Sequence, residues 1–143
     1  MIRYVKGDLL EAPERMILHG CNCRGVMGSG VAKLIREKWP QAYEDYREKY
    51  NRDGLELGSM VVSVQDDEKV IINAMTQDGY GKTGVHVSYW AVATIAEKCG
   101  RIMGGQSIAI PKIGAGLGGG DWNVIAAILE NEAPDVEWVV YEI

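Results

Sequence analysis

The 143-residue sequence is short of cysteine and histidine, has no surplus of positive charge and contains no long apolar run. Each shortage removes a class of function. Three cysteines (Cys21, Cys23 and Cys99) are an odd number with no C-x-x-C pair, and there are only two histidines, so neither a disulfide framework nor a zinc site is supported. A reducing cytoplasm is the expected compartment. The net charge of −5 argues against a basic surface that grips nucleic acid nonspecifically, so any phosphate the chain binds would be held by backbone amides. No stretch approaches the ~20 apolar residues of a membrane span, and no membrane partner is expected. A signal peptide is not expected either, because Met1–Val5 leads directly into a strand-like pattern ending at Gly7-Asp8. Linkers, repeats and low-complexity segments are also missing, which predicts one domain over 1–143, long enough to bury its own core. A monomer is expected.

What is present is an alternation of strand-like and helix-like runs, the mark of an α/β domain. Strands are predicted over Ile2–Val5, Arg15–Cys21, Ser59–Gln65, Val70–Met75, Ser107–Pro111 and Glu137–Tyr141. The second and last are nearly continuous apolar runs, as buried central strands require. Met60–Val64 and Val70–Ala74 flank the polar turn Asp66-Asp67-Glu68-Lys69 and should pair as an antiparallel hairpin. Helices are predicted after Ser29, Pro40, His86 and Asp121. In the third, Val87, Trp90, Ala91, Thr94, Ile95, Lys98 and Cys99 follow the spacing of a face packed on a sheet, which makes its aromatics core residues. Tyr43, Tyr46 and Tyr50 form a similar packing stripe on the second helix.

Two glycine-rich loops carry the chemical signal: Arg24–Gly30 (R-G-V-M-G-S-G) and Ile113–Gly120 (I-G-A-G-L-G-G-G). Each lies between a strand-like and a helix-like run. Glycine lets backbone N–H groups approach a ligand without a Cβ in the way, and a helix start behind the loop adds its positive dipole end. A diphosphate suits such a place, and two such loops suggest one cleft gripping a phosphorylated ligand from both sides. Asp121 before Trp122 reads first as a helix N-cap. Cys21 and Cys23 read as small core residues rather than thiolate nucleophiles, and His86 as a surface or capping residue. A flavodoxin-like or dinucleotide-binding domain is the competing fold, but its phosphate loop follows the first strand. Here Gly7-Asp8-Leu9 follows that strand instead.

Four segments together resemble a macro domain, the ADP-ribose-binding fold: G-D-L at Gly7–Leu9, I-L-H-G-C-N-C at Ile17–Cys23, the G-V-M-G-S-G-V-A loop, and I-P-K-I-G-A-G-L-G-G-G-D-W at Ile110–Trp122. The resemblance covers essentially the whole chain in order. It implies a three-layer α/β/α sandwich with a mixed, mainly parallel six-stranded sheet. It also implies ligand contacts. Asp8, with Leu9 beside it, would accept from the adenine amino group, and Asn22 would contact the distal ribose. The first loop, Gly28, Ser29, Gly30 and Val31, would hold the diphosphate and distal ribose, together with Gly114, Ala115, Gly116, Leu117 and Gly118 of the second; Thr76 would lie at the same cleft. For Asp8 the residues alone also allow a turn cap, and for Asn22 a bond to its own backbone.

Within macro domains the sequence is most similar to the branch of yeast-type ADP-ribose 1''-phosphate phosphatases and terminal ADP-ribose glycohydrolases. The glycohydrolase type is implied to need a lysine after the threonine that ends the fourth strand, where this sequence has Gln77 after Thr76. One member type uses an aspartate directly after G-x-G-L, where this sequence has Gly118. The phosphatase type is implied to need a histidine at the place of His19, which titrates near neutrality and would activate water or protonate the departing oxygen. The leading expectation is therefore a phosphatase that converts ADP-ribose 1''-phosphate to ADP-ribose and phosphate, with His19, Asn22 and Gln77 at the reacting end. Tyr80 or Lys82, in the Asp78–Lys82 loop, would reach the terminal phosphate. No metal or cofactor is implied. An ADP-ribosyl hydrolase acting on protein or nucleic acid, and a non-catalytic ADP-ribose reader, are the alternatives.

Overall fold

A computed structural model describes residues 1–80, 84–116 and 118–142. Five parallel strands and one antiparallel strand form a single sheet flanked by helices on both faces. The chain runs β1 (Ile2–Lys6), β2 (Met16–Asn22), α1 (Gly30–Lys38), α2 (Pro40–Asp53), β3 (Met60–Val64), β4 (Val70–Gln77), α3 (Tyr89–Met103), β5 (Ser107–Ile110), α4 (Trp122–Glu132) and β6 (Glu137–Glu142). Spatially the strands lie in the order β1-β6-β5-β2-β4-β3. The β3–β4 hairpin supplies the antiparallel pair, with Val62 opposite Ile72.

Strand alternation divides the core into two layers. Leu18, Ile72, Ile108, Ile110, Trp138 and Val140 point one way and pack with Val92, Ile95, Cys99, Ile125 and Leu129 of α3 and α4. Ile17, Ile71 and Ala109 point the other way onto Ile35 of α1, Trp39 and Ala42 of α2. Both faces of β2, β5 and β6 are therefore covered, which is why these strands read as continuous apolar runs rather than alternating ones.

Three details depart from the sequence pattern. A 3-10 turn at Leu9–Glu11 was not foreseen. The third helix begins at Tyr89 rather than directly after His86, because Ser88 caps it by accepting from the N–H of Ala91. Its buried face runs through Ala91, Val92, Ile95, Ala96, Cys99 and Met103, so Trp90 is not core but 65% exposed, leaning over Gly58. Among the described residues no helix is long and apolar enough to cross a membrane, and the three cysteines are free and buried.

Candidate functional site

The topology itself marks a crevice. β2 and β5 are parallel neighbours, but β2 leads to α1 on one face of the sheet and β5 leads to α4 on the other. Where adjacent connections leave in opposite directions, the loops part and open a cleft beyond the carboxyl ends of the strands. The protein has a cleft of about 620 Å³ here, bordered by His19–Asn22, Val26–Ala32, Gln77, Tyr80, Pro111–Gly114, Gly116 and Gly118.

The first wall is the loop from β2 into α1. Its shape comes from side-chain bonds to its backbone. Asn22 Nδ2 donates to Val26 O (3.0 Å), Asn22 Oδ1 accepts from Arg24 N–H (2.9 Å), and Arg47 of α2 donates to Gly25 O (3.0 Å). The loop ends at Ser29, whose side chain makes no capping bond to α1. The first turn of this nine-residue helix therefore faces the cleft with N–H groups free of a side-chain cap. A Cβ placed on Gly28 would meet nothing within 4 Å, so this glycine leaves room rather than filling a tight spot.

The second wall, the loop after β5, is packed against its own scaffold. A Cβ on Gly114 would stand 2.6 Å from Val87 Cγ2, one on Gly120 2.5 Å from Val87 Cγ1, and one on Gly119 2.6 Å from Gly84 O. Gly120 N–H closes the loop onto Gly114 O (2.7 Å). Gly116 alone has open space in front of it among the described glycines of this wall. Behind this loop Asp121 is the N-cap that its place before Trp122 implies: its Oδ1 accepts from Asn123 N–H (2.9 Å) at the start of α4.

Between the walls, a β-bulge shapes the floor. Cys21 pairs with Met75 but Asn22 pairs with Gln77, so Thr76 is an extra residue on β4. The bulge sets Gln77 beside Asn22 at the cleft. Gln77 Nε2 donates to Gly79 O (2.7 Å), and a Cβ on Gly118 would stand 3.0 Å from Gln77 Oε1. Thr76 itself is buried, and its hydroxyl oxygen has no partner among the described residues. Gly20 is small because that hydroxyl occupies the place its Cβ would take, 2.6 Å away.

His19 lies under this floor, with no solvent exposure. Its Nε2 is 2.6 Å from Asn73 Oδ1, and Cys21 Sγ is 3.5 Å from the same nitrogen. Asn73 in turn donates to Ala42 O and Val61 O, so the bonded Nε2 of His19 is the donor to its carbonyl oxygen. Burial lowers the pKa of His19 to about 4, against the smaller opposing effect of the Asn73 bond. Near-neutral titration is thus overturned. At pH 7 this imidazole is neutral and without solvent exposure, with Nε2 held by Asn73. Burial also pushes the Cys21 thiol far up and Cys23 to about 11, which leaves both as protonated core groups.

The sequence matches the profile of the Macro domain over residues 18–129. The chain belongs to the macro domain family. This macro domain is 33% identical to the ADP-ribose 1''-phosphate phosphatase of Scheffersomyces stipitis, with full coverage of both chains. It is 31% identical to the DNA ADP-ribosyl glycohydrolase of Mycobacterium tuberculosis, covering 99% of this chain but 42% of that protein. Among solved structures it superposes on the macrodomain of Thermus aquaticus DarG with a TM-score of 0.81 at 27% identity, covering 100% and 99% of the two chains.

Within this macro domain, the cleft brings together Asn22, Gly28, Ser29, Gly30, Val31, Gln77, Gly114, Gly116 and Gly118, with His19 at its base and Tyr80 at its edge. Asp8, Leu9, Thr76 and Ala115 do not border it. Asp8 caps the 3-10 turn through Oδ1 and Leu10 N–H (2.9 Å), and Leu9 is buried against the α1 and α2 layer. Leu117 and Lys82 lie outside the described residues. Sequence reasoning missed Gly20, Tyr46, Arg47 and Lys112. Lys112 borders the cleft while paired to Glu142 at 2.8 Å. The tyrosine stripe on α2 was legible as packing, but no periodicity shows where a buried hydroxyl points.

Proposed function

We propose that this macro domain binds ADP-ribose in the cleft and hydrolyses ADP-ribose 1''-phosphate to ADP-ribose and inorganic phosphate. The uncapped start of α1 facing the open side of Gly116 is the observation that carries the binding half. It offers a diphosphate amide donors and a positive dipole end without any basic side chain. Gly28, Ser29, Gly30 and Val31 hold the ligand from one side, and Gly114, Gly116 and Gly118 from the other. Adenine extends past the cleft border toward Asp8, whose second carboxylate oxygen accepts from the exocyclic amine while Oδ1 keeps its bond to Leu10, and Asn22 meets the distal ribose. The full-length similarity to a yeast phosphatase supports the catalytic half.

The reacting end then lies over Gln77 and Asn22, with Thr76 and His19 beneath. Water attacks phosphorus, and the bond from phosphorus to the ribosyl C1'' oxygen breaks. The electron pair stays on that oxygen, which takes a proton from solvent while the attacking water gives one up to it. Gln77 keeps one amide hydrogen and its carbonyl oxygen free among the described residues, enough to orient both a phosphate oxygen and the attacking water. His19 supports the floor as a neutral group. The rate comes from positioning and fixed dipoles rather than from a side-chain nucleophile. Gln77 offers neither the charge nor the amine of a lysine, which favours the phosphatase over a lysine-based glycohydrolase. The second reading, removal of ADP-ribose from DNA or protein, draws on the mycobacterial relative. The buried free thiols suit a reducing cytoplasm.

The test is phosphate release from ADP-ribose 1''-phosphate beside a titration with ADP-ribose. Release by the wild type and its loss in Gln77→Ala, with binding retained, is the expected result. Binding without release would overturn the phosphatase, and an assay on ADP-ribosylated DNA and protein would then separate a hydrolase from a reader.

A further inference from the structure

Helix α2 acts on the cleft through the loop it supports. Tyr46 is fully buried, its ring packed among Cys21, Cys23, Met27 and Met75. Its hydroxyl lies 2.6 Å from the backbone oxygen of Asn22 and 2.9 Å from Asn22 Oδ1. Oδ1 also accepts from Arg24 N–H, while Nδ2 donates to Val26 O. This pattern allows one orientation of the amide. A flip would set Nδ2 against the Arg24 N–H and Oδ1 against the Val26 carbonyl, two repulsive pairs in place of two bonds. The single hydrogen of the Tyr46 hydroxyl is shared between the backbone oxygen and Oδ1 of Asn22, and with one Nδ2 hydrogen on Val26 O the side chain keeps one N–H hydrogen for anything in the cleft.

We infer that Tyr46 is a positioning residue for the binding site: its hydroxyl ties the backbone oxygen and Oδ1 of Asn22 together, so that the amide offers the distal ribose its remaining N–H donor. This rests on the reading of the cleft as an ADP-ribose site. Asn22 then recognises a ribose oxygen as an acceptor and takes no part in proton transfer. Specificity at this end follows from a residue that never touches the ligand.

The test compares ADP-ribose with ADP, which lacks the distal ribose, in the wild type and in Tyr46→Phe, which keeps the packed ring and removes the hydroxyl. The dissociation constant for ADP-ribose should rise about tenfold, the size of one lost charge-free hydrogen bond at its upper end, while that for ADP changes less than about twofold. Unchanged ADP-ribose binding would overturn the inference. So would an equal loss for both ligands, which is the signature of a loosened loop. Asn22→Asp provides the second arm, and it stands if Tyr46→Phe does not fold. The carboxylate still accepts from Tyr46 and Arg24 but has no N–H and sets its second oxygen against Val26 O, so the ADP titration reports on the loop; a larger loss for ADP-ribose than for ADP is expected, and equal losses or wild-type affinity would overturn the inference. A wild type that binds neither ligand overturns the function reading itself, a distinguishable result.

Discussion

The two glycine-rich walls look alike in sequence but differ in how they are braced and in whether the helix that follows is capped. In the first, side chains of α2 and Asn22 hold the backbone, the helix that follows is uncapped by its Ser29 side chain, Gly25 lies against Tyr50 and Gly28 faces open space. In the second, glycines are wedged against Val87, Ile125 and Gly84, and Asp121 caps the helix that follows. Each wall has a glycine with open space before it, Gly28 and Gly116, while Gly25 in the first and Gly114, Gly119 and Gly120 in the second leave no room for a side chain. The same letter serves binding in one place and packing in the next.

The strongest way to sharpen this contrast is Gly114→Ala. Its φ of +74° and the 2.6 Å approach to Val87 combine backbone strain with overpacking. A loss of about 3 kcal/mol in urea denaturation is expected, from the usual cost of overpacking plus that of a left-handed non-glycine residue. A loss below about 1 kcal/mol would show that the second wall yields, and would erase the distinction.

Acid acts on the side of the first wall, where His19 lies beside Cys21. Its pKa is lowered from 6.5 to about 4 in the folded protein, so between these values the unfolded chain binds the extra proton and the folded chain does not. Stability from this group is intact above pH 6.5 and is lost as pH falls toward 4, by up to about 3 kcal/mol. His19→Gln should remove that slope in denaturation curves taken at pH 7, 5.5 and 4. Phosphate release should show no limb near pH 6.5 that this substitution abolishes.

Gly28→Ala and Gly116→Ala should leave stability within about 0.5 kcal/mol of wild type, because nothing stands where their methyl groups would go. Affinity for ADP-ribose should nevertheless fall about tenfold as the methyl enters the ligand's place. Calorimetric titration beside a melting curve separates the two effects, and a drop in stability with normal affinity would reverse the assignment. The smallest effect belongs to Asp121→Ala. Losing the cap of α4 should cost about 1 kcal/mol with ADP-ribose affinity unchanged, since that helix start is already occupied by its own aspartate.

Much of this architecture is written in local pattern. The apolar runs at β2 and β6, the hairpin around Asp66–Lys69 and the glycine loops after β2 and β5 each carry a short-range physical cause, and all appear within a residue or two of their expected places. What periodicity could not show is long-range. Trp90 has the spacing of a packed residue, yet the helix docks with a rotated face and leaves it exposed. His19 is a proton shuttle by composition, and only the Asn73 carbonyl oxygen 54 residues away in the chain shows that it is a sealed neutral group. Asp8 reads equally as a cap or an adenine contact, and its Oδ1 is engaged by Leu10. Tyr46 and Asn22 meet across 24 residues, a pairing that no motif announces.

The extra residue at Thr76 has an effect beyond shaping the floor. Upstream, β4 alternates in step with the sheet, and every side chain from Ile71 to Met75 answers to one core layer or the other. One residue later the phase has slipped, and position 77 is released from that obligation. A new side chain there can change what the site does to its ligand without asking the core to repack. The fold thus separates a variable chemistry from a constant scaffold by a single inserted amino acid, and members of one family can diverge in activity while their sheets remain superimposable.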